Sequence, residues 1–426
     1  MRSTARTLFL ITFLVEMPGG LALFAVSRDI AERDLGGPGS GSVLELGWIG
    51  GVNALMLGAF SLISGRLSDR FGRARLMYCG QAALILGLIG CLVFEYGDPL
   101  YLPAFWLLGA SLGLLYAPLI AWLSQDPDAN ELRGGIHRSL ILFCVSWNLG
   151  FFAASMSGGY LFLSGRRAPL ALALALSLIN VALLVFTVRR ERTRSSSPQP
   201  QRSALSVQKQ VLSGGFAILA WIANTSGTFA WSMVIYLLPA LMVKLHYDPD
   251  EHGSMVAATR VVVIFVYCVM YFTRFWHHRF VTSAAMQLLA IAGLLTIATA
   301  DTRPQLVTGM LIAAPLMGYN YFSSLYYSTS SIDHTKGAAS GIHEGTIALG
   351  FGAGSILGGF FGVRVGPHLD WLGDLAAQRA PYILGASVIA AALVLQAIYF
   401  LLRVQPMRRR VMAASESAEL ATATSD

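Results

Sequence analysis

Charge is scarce in this chain: only 12% of its 426 residues are Asp, Glu, Lys or Arg, about half the share carried by a soluble domain. Apolar residues make up 55%, and mean hydropathy is +0.60. Such a composition cannot cover a water-facing surface with polar groups, which excludes a soluble globular enzyme and a disordered chain. Cysteine is scarce as well. Cys79, Cys91, Cys144 and Cys268 all fall within apolar runs, where they act as small hydrophobes rather than a disulfide framework or a metal set. No G-x-x-x-x-G-K-[ST] stretch occurs, so no loop is expected to cradle ATP phosphates, and energy, if used, must come from an ion or substrate gradient. No metal-ligand cluster and no nucleophile–base set stands out. The expectation is a non-enzyme with no catalytic residue, cofactor or metal. The net charge of +7 would suggest nucleic acid in a soluble protein. Here the basic residues stand between apolar segments, where they set membrane orientation instead, so no nucleic-acid partner is expected.

Long apolar runs are what the chain has in quantity. Twelve can be marked, near 8–26, 44–63, 76–96, 100–124, 139–163, 168–188, 213–243, 253–272, 281–299, 304–330, 339–362 and 381–402. Each approaches the roughly 20 residues a membrane span requires, and in a bilayer each must be helical. Arg2 and Arg6 before Leu8–Val15 resemble a signal peptide, but Glu16 and Pro18 interrupt the run and no small-residue cleavage site follows. The first segment is therefore expected to be a retained span. Arg189–Gln210 includes RRERTRSSSPQPQR, whose charge, Ser and Pro mark a linker. A weak helical pattern over Ser203–Leu212 suggests a short surface helix. The expected organisation is a six-helix bundle over 1–188, a cytoplasmic linker over 189–212, a second bundle over 213–402 and a cytoplasmic tail over 403–426.

Orientation follows from charge. With both termini inside, inner segments carry 21 of the 30 basic residues and outer loops carry 8, with Arg260 inside a span. That bias favours cytoplasmic termini. The halves also repeat. NLGFFAASMSGGYLF in the fifth segment matches ALGFGAGSILGGFFG in the eleventh. Gly150, Gly158 and Gly159 recur 200 residues later as Gly350, Gly358 and Gly359, with Gly354 between, and Gly109 recurs as Gly309. Such spacing of small residues lets transmembrane helices approach closely. A repeated six-helix half places a substrate site between the halves, as in many secondary transporters.

Between the second and third segments stands GRLSDRFGRARLMY. Gly65, Asp69, Arg70, Gly72, Arg73 and Arg75 fit G-x-x-x-D-R-x-G-R-x-R, and the chain resembles the major facilitator superfamily over its whole length. The resemblance implies an all-α polytopic membrane protein with the fold of that superfamily, its 12 transmembrane helices forming two pseudo-symmetric six-helix halves. It also implies that these six residues form a conformational latch, with Asp69 meeting the start of the eleventh helix near Lys336–Ser340. The matching loop of the second half, YFTRFWHHRF, lacks the acid and the glycines. Its His277–His278 pair is expected in a wetted loop rather than at a metal. Two departures count against drug export. Phe105 stands where drug antiporters of the superfamily carry Arg, and their fifth-helix G-x-x-x-G-P-x-x-G-G survives only as Gly150, Ala154, Ser155, Gly158 and Gly159.

Ionisable residues inside spans are costly and mark function. Glu16 precedes Pro18, Gly19 and Gly20, a place for a kink. Arg260 is open to three roles: an anion site, a partner for a buried acid, or a snorkelling side chain. His343 and Glu344 begin the eleventh helix, where Glu344 either handles protons or pairs with the arginines after the second helix. Tyr319, Asn320 and Tyr321, with Trp147 and Asn148, are the candidates for lining a cavity, while Tyr326 and Tyr327 are assigned to the interfacial aromatic belt. The expectation is an alternating-access, secondary active transporter of a small organic solute, with protons as candidate coupling ion. It is placed as a monomer in the lipid bilayer of a bacterial inner membrane. Two alternatives accompany it: a non-transporting sensor or assembly factor, and a drug or metabolite efflux pump.

Overall fold

A chain surrounded by hydrocarbon must close its backbone hydrogen bonds within each segment. In the computed structural model, which describes residues 3–33, 41–125, 135–192, 207–331 and 336–410, every regular element among the described residues is helical. The first half comprises α1 (Ser3–Arg33), α2 (Gly41–Phe71), α3 (Arg73–Val93), α4 (Tyr101–Gln125), α5 (Gly135–Ser164) and α6 (Ala168–Arg192). The second begins with α7 (Val207–Ser232), which continues through a π-helical turn, Met233–Leu237, into Leu238–Lys244. There follow α8 (Pro249–Phe272), α9 (Phe280–Ala298), α10 (Arg303–Ser331), α11 (Lys336–Arg364) and α12 (Ala376–Tyr399).

Eleven of these stretches are long and apolar enough to span a bilayer. The exception, α10, has the length but carries Tyr, Asn and Ser along its second half. The helices outrun the apolar runs in several places. α1 continues to Arg33 because its charges are paired: Arg28 with Glu32 at 2.8 Å, Arg33 with Asp29 at 3.0 Å, and Arg166 with Asp29 at 2.5 Å. The linker is shorter than 189–212, since α6 runs to Arg192 and α7 begins at Val207. No separate surface helix forms at 207–212, and 193–206 lie outside the described residues. Helical backbone also continues past 402 to Arg410, into what the sequence assigns to the tail.

Burial sorts the helices. The apolar stretch of α7 is 94% buried and that of α4 72%, against 28% for α9 and 33% for α6. α3, α6, α9 and α12 therefore form the rim, and side chains such as Leu86, Phe186 and Val281 on it face outward. The inner helices are locally broken. Pro18, Pro118 and Pro315 lie inside α1, α4 and α10, where each removes an intrahelical bond, and α7 has its π turn.

The internal repeat holds in three dimensions. A Cβ placed on Gly150 would lie 2.7 Å from the carbonyl of Phe13 on α1, and one on Gly350 would lie 2.5 Å from that of Thr225 on α7. Gly158 faces Phe24 on α1, and Gly358 faces Leu237 and Met233 on the α7 continuation. Gly159 meets the Pro249 carbonyl of α8, and Gly359 meets the Val43 carbonyl of α2. Thus α5 touches α1 and α8 as α11 touches α7 and α2. The halves join along two seams, α2 with α11 and α5 with α8. On the first, Gly47 lies against Ser355 and Gly359, Gly58 against Ala348, and Gly341 against Ser61.

Candidate functional site

The broken helices meet around a cavity of about 130 Å³. α1, α2, α4 and α5 supply one wall, and α7, α8, α10 and α11 the other. Below it, toward the face where α1 starts, the second half of α4 from Ala117 to Leu123 is buried on all sides. Above it, the stretches Leu21–Ala31 of α1 and Met233–Val243 of the α7 line are packed almost throughout. The upper closure crosses between halves: Arg28 donates from Nη2 to the Tyr247 carbonyl at 2.7 Å, and the Phe24 ring lies 5.0 Å from that of His252. α8 opens directly beyond with a capping box, in which the Asp248 amide donates to Glu251 at 3.1 Å.

Glu16 projects into the cavity from α1, two residues before Pro18, and accepts a hydrogen bond from the Tyr116 hydroxyl of α4. Gly150 of α5 lets the two helices close on the Glu16 stem. Glu344 enters from α11, 4% exposed, and accepts from the Tyr321 hydroxyl of α10 at 3.0 Å. Each half therefore contributes one carboxyl bonded to one tyrosine. Arg260 of α8 is 2% exposed, with its guanidinium 3.9 Å from the centre of the Phe151 ring. The Trp147 and Tyr321 rings, 5.2 Å apart, bridge α5 and α10.

Of the residues expected from sequence, Glu16, Arg260, Glu344, Trp147 and Tyr321 share this one cavity. Arg260 does not snorkel. Glu344 does not pair with the arginines after α2, because its partner is Tyr321. His343 lies behind the wall, fully buried, its Nδ1 3.0 Å from Ser324 and its ring 4.9 Å from that of Tyr321. Asn148 and Asn320 are spent on packing: Asn148 Nδ2 donates to the Cys144 carbonyl, and Asn320 Nδ2 to that of Ala223 at 2.8 Å. Tyr319 is buried away from the lining.

Tyr326 and Tyr327 do not form an interfacial belt. Tyr327 is 3% exposed and packs with Phe216 and Trp276. His277 stacks on Tyr326 at 5.0 Å, and the His278 amide donates to the Tyr327 hydroxyl at 2.7 Å. The loop after α8 is thus pinned at its two histidines, which are half-buried, while Arg274, Phe275 and Arg279 are exposed. Burial holds the His278 imidazole below its ordinary range, and Arg408 adds to the effect.

At the latch sequence, Gly65 packs beside Gly341 of α11. Gly72 has φ +90, a conformation suited to glycine, and separates α2 from α3. Asp69 is exposed in the last turn of α2, and among the described residues it makes no hydrogen bond or ion pair. Arg70 lies 5.3 Å from the Phe71 ring, and Arg75 is exposed. Arg73 is half-buried. Part of the segment expected to meet Asp69, Lys336–Ser340, has side chains outside the described residues.

Tyr116, Phe151, Asn53 and Tyr236 also line the cavity and are not evident from sequence. One signal was available for Tyr116. It stands two residues before Pro118, as Glu16 stands before Pro18.

The family model of the Major Facilitator Superfamily matches residues 8–350. The chain belongs to that superfamily. Solved structures agree on the fold. The human organic anion transporter MFSD10 (TETRAN) superposes with a TM-score of 0.65 at 16% identity, over 93% of this chain and 100% of the other. A bacterial homologue of the human drug peptide transporters PepT1 and PepT2 gives 0.65 at 12% identity, over 96% of this chain and 100% of that one. No curated protein sequence matches the chain. This superfamily member is a multi-pass integral membrane transporter rather than an enzyme.

Proposed function

We propose that the protein is a secondary active transporter that moves a small organic solute by alternating access, with protons as the coupling ion and Glu16 as the principal coupling group. The observation that carries this reading is the arrangement of Glu16 and Glu344. A carboxyl from each half enters one cavity between the halves, where a tyrosine hydroxyl on a neighbouring helix reaches it. A carboxyl in such a place is costly unless it is paired or can take up a proton. Rocking the halves along the α2–α11 and α5–α8 seams would expose it to one side and then the other. The lack of a P-loop favours a gradient as the energy source. The arginine distribution favours cytoplasmic termini, in keeping with a bacterial inner membrane, and the two six-helix halves suffice as a monomer.

The test is Glu16→Gln in proteoliposomes, which keeps the shape and removes the titration. An imposed pH gradient should drive accumulation in the wild type and at least tenfold less in the variant, while solute exchange at equal pH persists. Undiminished accumulation in Glu16→Gln would transfer the coupling role to Glu344.

A further inference from the structure

One side of the cavity holds hydrogen-bond donors without acceptors. Arg260 Nε is buried with no partner, and among the described residues no carboxylate lies within 4 Å of its guanidinium. The Trp147 ring, also in the lining, lies 6.0 Å from the guanidinium, and that of Trp231, behind the lining, 5.9 Å; both indole Nε1 groups are buried without an acceptor. All three groups can only donate. A donor left unmet in the interior costs about 1–3 kcal/mol. The two carboxyls differ, since each already accepts from a tyrosine. What Arg260 lacks is therefore an acceptor oxygen in hydrogen-bond contact, since Glu16 and Glu344 share its cavity without reaching it.

The remaining wall defines the body of that ligand. Leu108, Leu112, Ile347 and Phe351 line it with apolar surface, and Phe151 offers a flat face beside Arg260. The volume, about 130 Å³, is close to that of an engineered apolar cavity of about 150 Å³ that takes up benzene. We infer that the transported solute is a small organic monoanion whose carboxylate binds Arg260 and whose ring-sized apolar body fills the cavity. A planar guanidinium suits this role because its fork matches both carboxylate oxygens. An amine-bearing solute could bond to Glu16 or Glu344 but would leave Arg260 unmet.

This inference rests on the transporter reading, but binding is measured at equilibrium without transport, so either can fail alone. The purified full-length chain is followed by thermal unfolding and tryptophan fluorescence with matched carboxylate, amide and amine sets. The sets are benzoate, benzamide and benzylamine, and the same three derivatives of cyclohexane. The carboxylate should bind at least tenfold more tightly than its amide and shift Tm furthest. Arg260→Met should abolish that preference and leave amide binding unchanged, while Arg260→Lys keeps part of it. Trp147→Phe retains a ring and removes one donor, and should weaken carboxylate binding roughly threefold to tenfold, so the inference stays testable if the methionine variant misfolds. Three results would overturn it: no set in which the carboxylate exceeds its amide, an amine that binds best, or a carboxylate preference that survives both arginine substitutions.

Discussion

Glu344 and Tyr321 come from adjacent helices of one half and lie 3.0 Å apart at the cavity wall. The hydroxyl orients the carboxyl, and the ring forms part of the wall beside Trp147. Tyr321→Phe separates the two roles. A hydrogen bond to a buried charged group is worth about 1.5–3 kcal/mol, so coupled uptake should fall roughly tenfold while equilibrium solute binding changes less than threefold. Uptake and binding measured on the same preparation check this, and an unchanged uptake rate would show the hydroxyl to be inert. Ionisable residues of this cavity were legible in sequence because Glu16, Arg260 and Glu344 interrupt apolar runs where a charge is costly. The aromatics were not. Phe151 and Tyr116 suit a lipid-facing surface as well as a cavity, and composition cannot tell the two apart. Asn148 and Asn320 misled for a related reason: a polar side chain inside a span is equally well satisfied by a backbone carbonyl of its own or a neighbouring helix.

Glycines at helix contacts fall into two kinds, and the difference predicts two phenotypes. Gly354 lies within the second half, and a Cβ there would lie 2.5 Å from Ser232 Oγ of α7. Gly47 lies on the seam between halves, where a Cβ would be 2.7 Å from the Ser355 carbonyl of α11. Overpacking a close contact typically costs about 1–3 kcal/mol. Gly354→Leu should therefore lower the yield of folded protein and its Tm. Gly47→Leu should leave each half intact but wedge α2 from α11, so that folded yield stays within about twofold while transport falls at least fivefold. Gel filtration and uptake on both variants decide the matter, and equal losses of folded protein would contradict the distinction. The 200-residue repeat was readable because Gly150, Gly158 and Gly159 serve contacts equivalent to those of Gly350, Gly358 and Gly359, whereas Gly109 meets α2 and Gly309 meets α9, which are not counterparts. Helix ends were less readable. α1 carries Arg28, Asp29 and Glu32 beyond its apolar run, and only their ion pairs with one another and with Arg166 show why the helix continues.

At the scale of the molecule, two related six-helix halves enclose a cavity that neither could form alone, with packed helix above and below it. The closed upper contact of Arg28 with the Tyr247 carbonyl belongs to this one arrangement of the halves. Alternating access requires that the upper contact open in another. Twelve apolar runs and the G-x-x-x-D-R-x-G-R-x-R sequence made the architecture legible from sequence, since hydrocarbon permits little besides helices. The cavity itself depends on which faces turn inward, and that is set by contacts between distant helices. The central claim is that solute and proton movement are linked through Glu16. It is tested most directly with a pH-sensitive dye sealed in proteoliposomes, the membrane voltage clamped, and a gradient imposed of whichever solute binds most tightly in the thermal series. The account predicts a pH change that tracks solute flux in the wild type and is absent in Glu16→Gln. Solute flux without any pH change, or a pH change undiminished in Glu16→Gln, would contradict it.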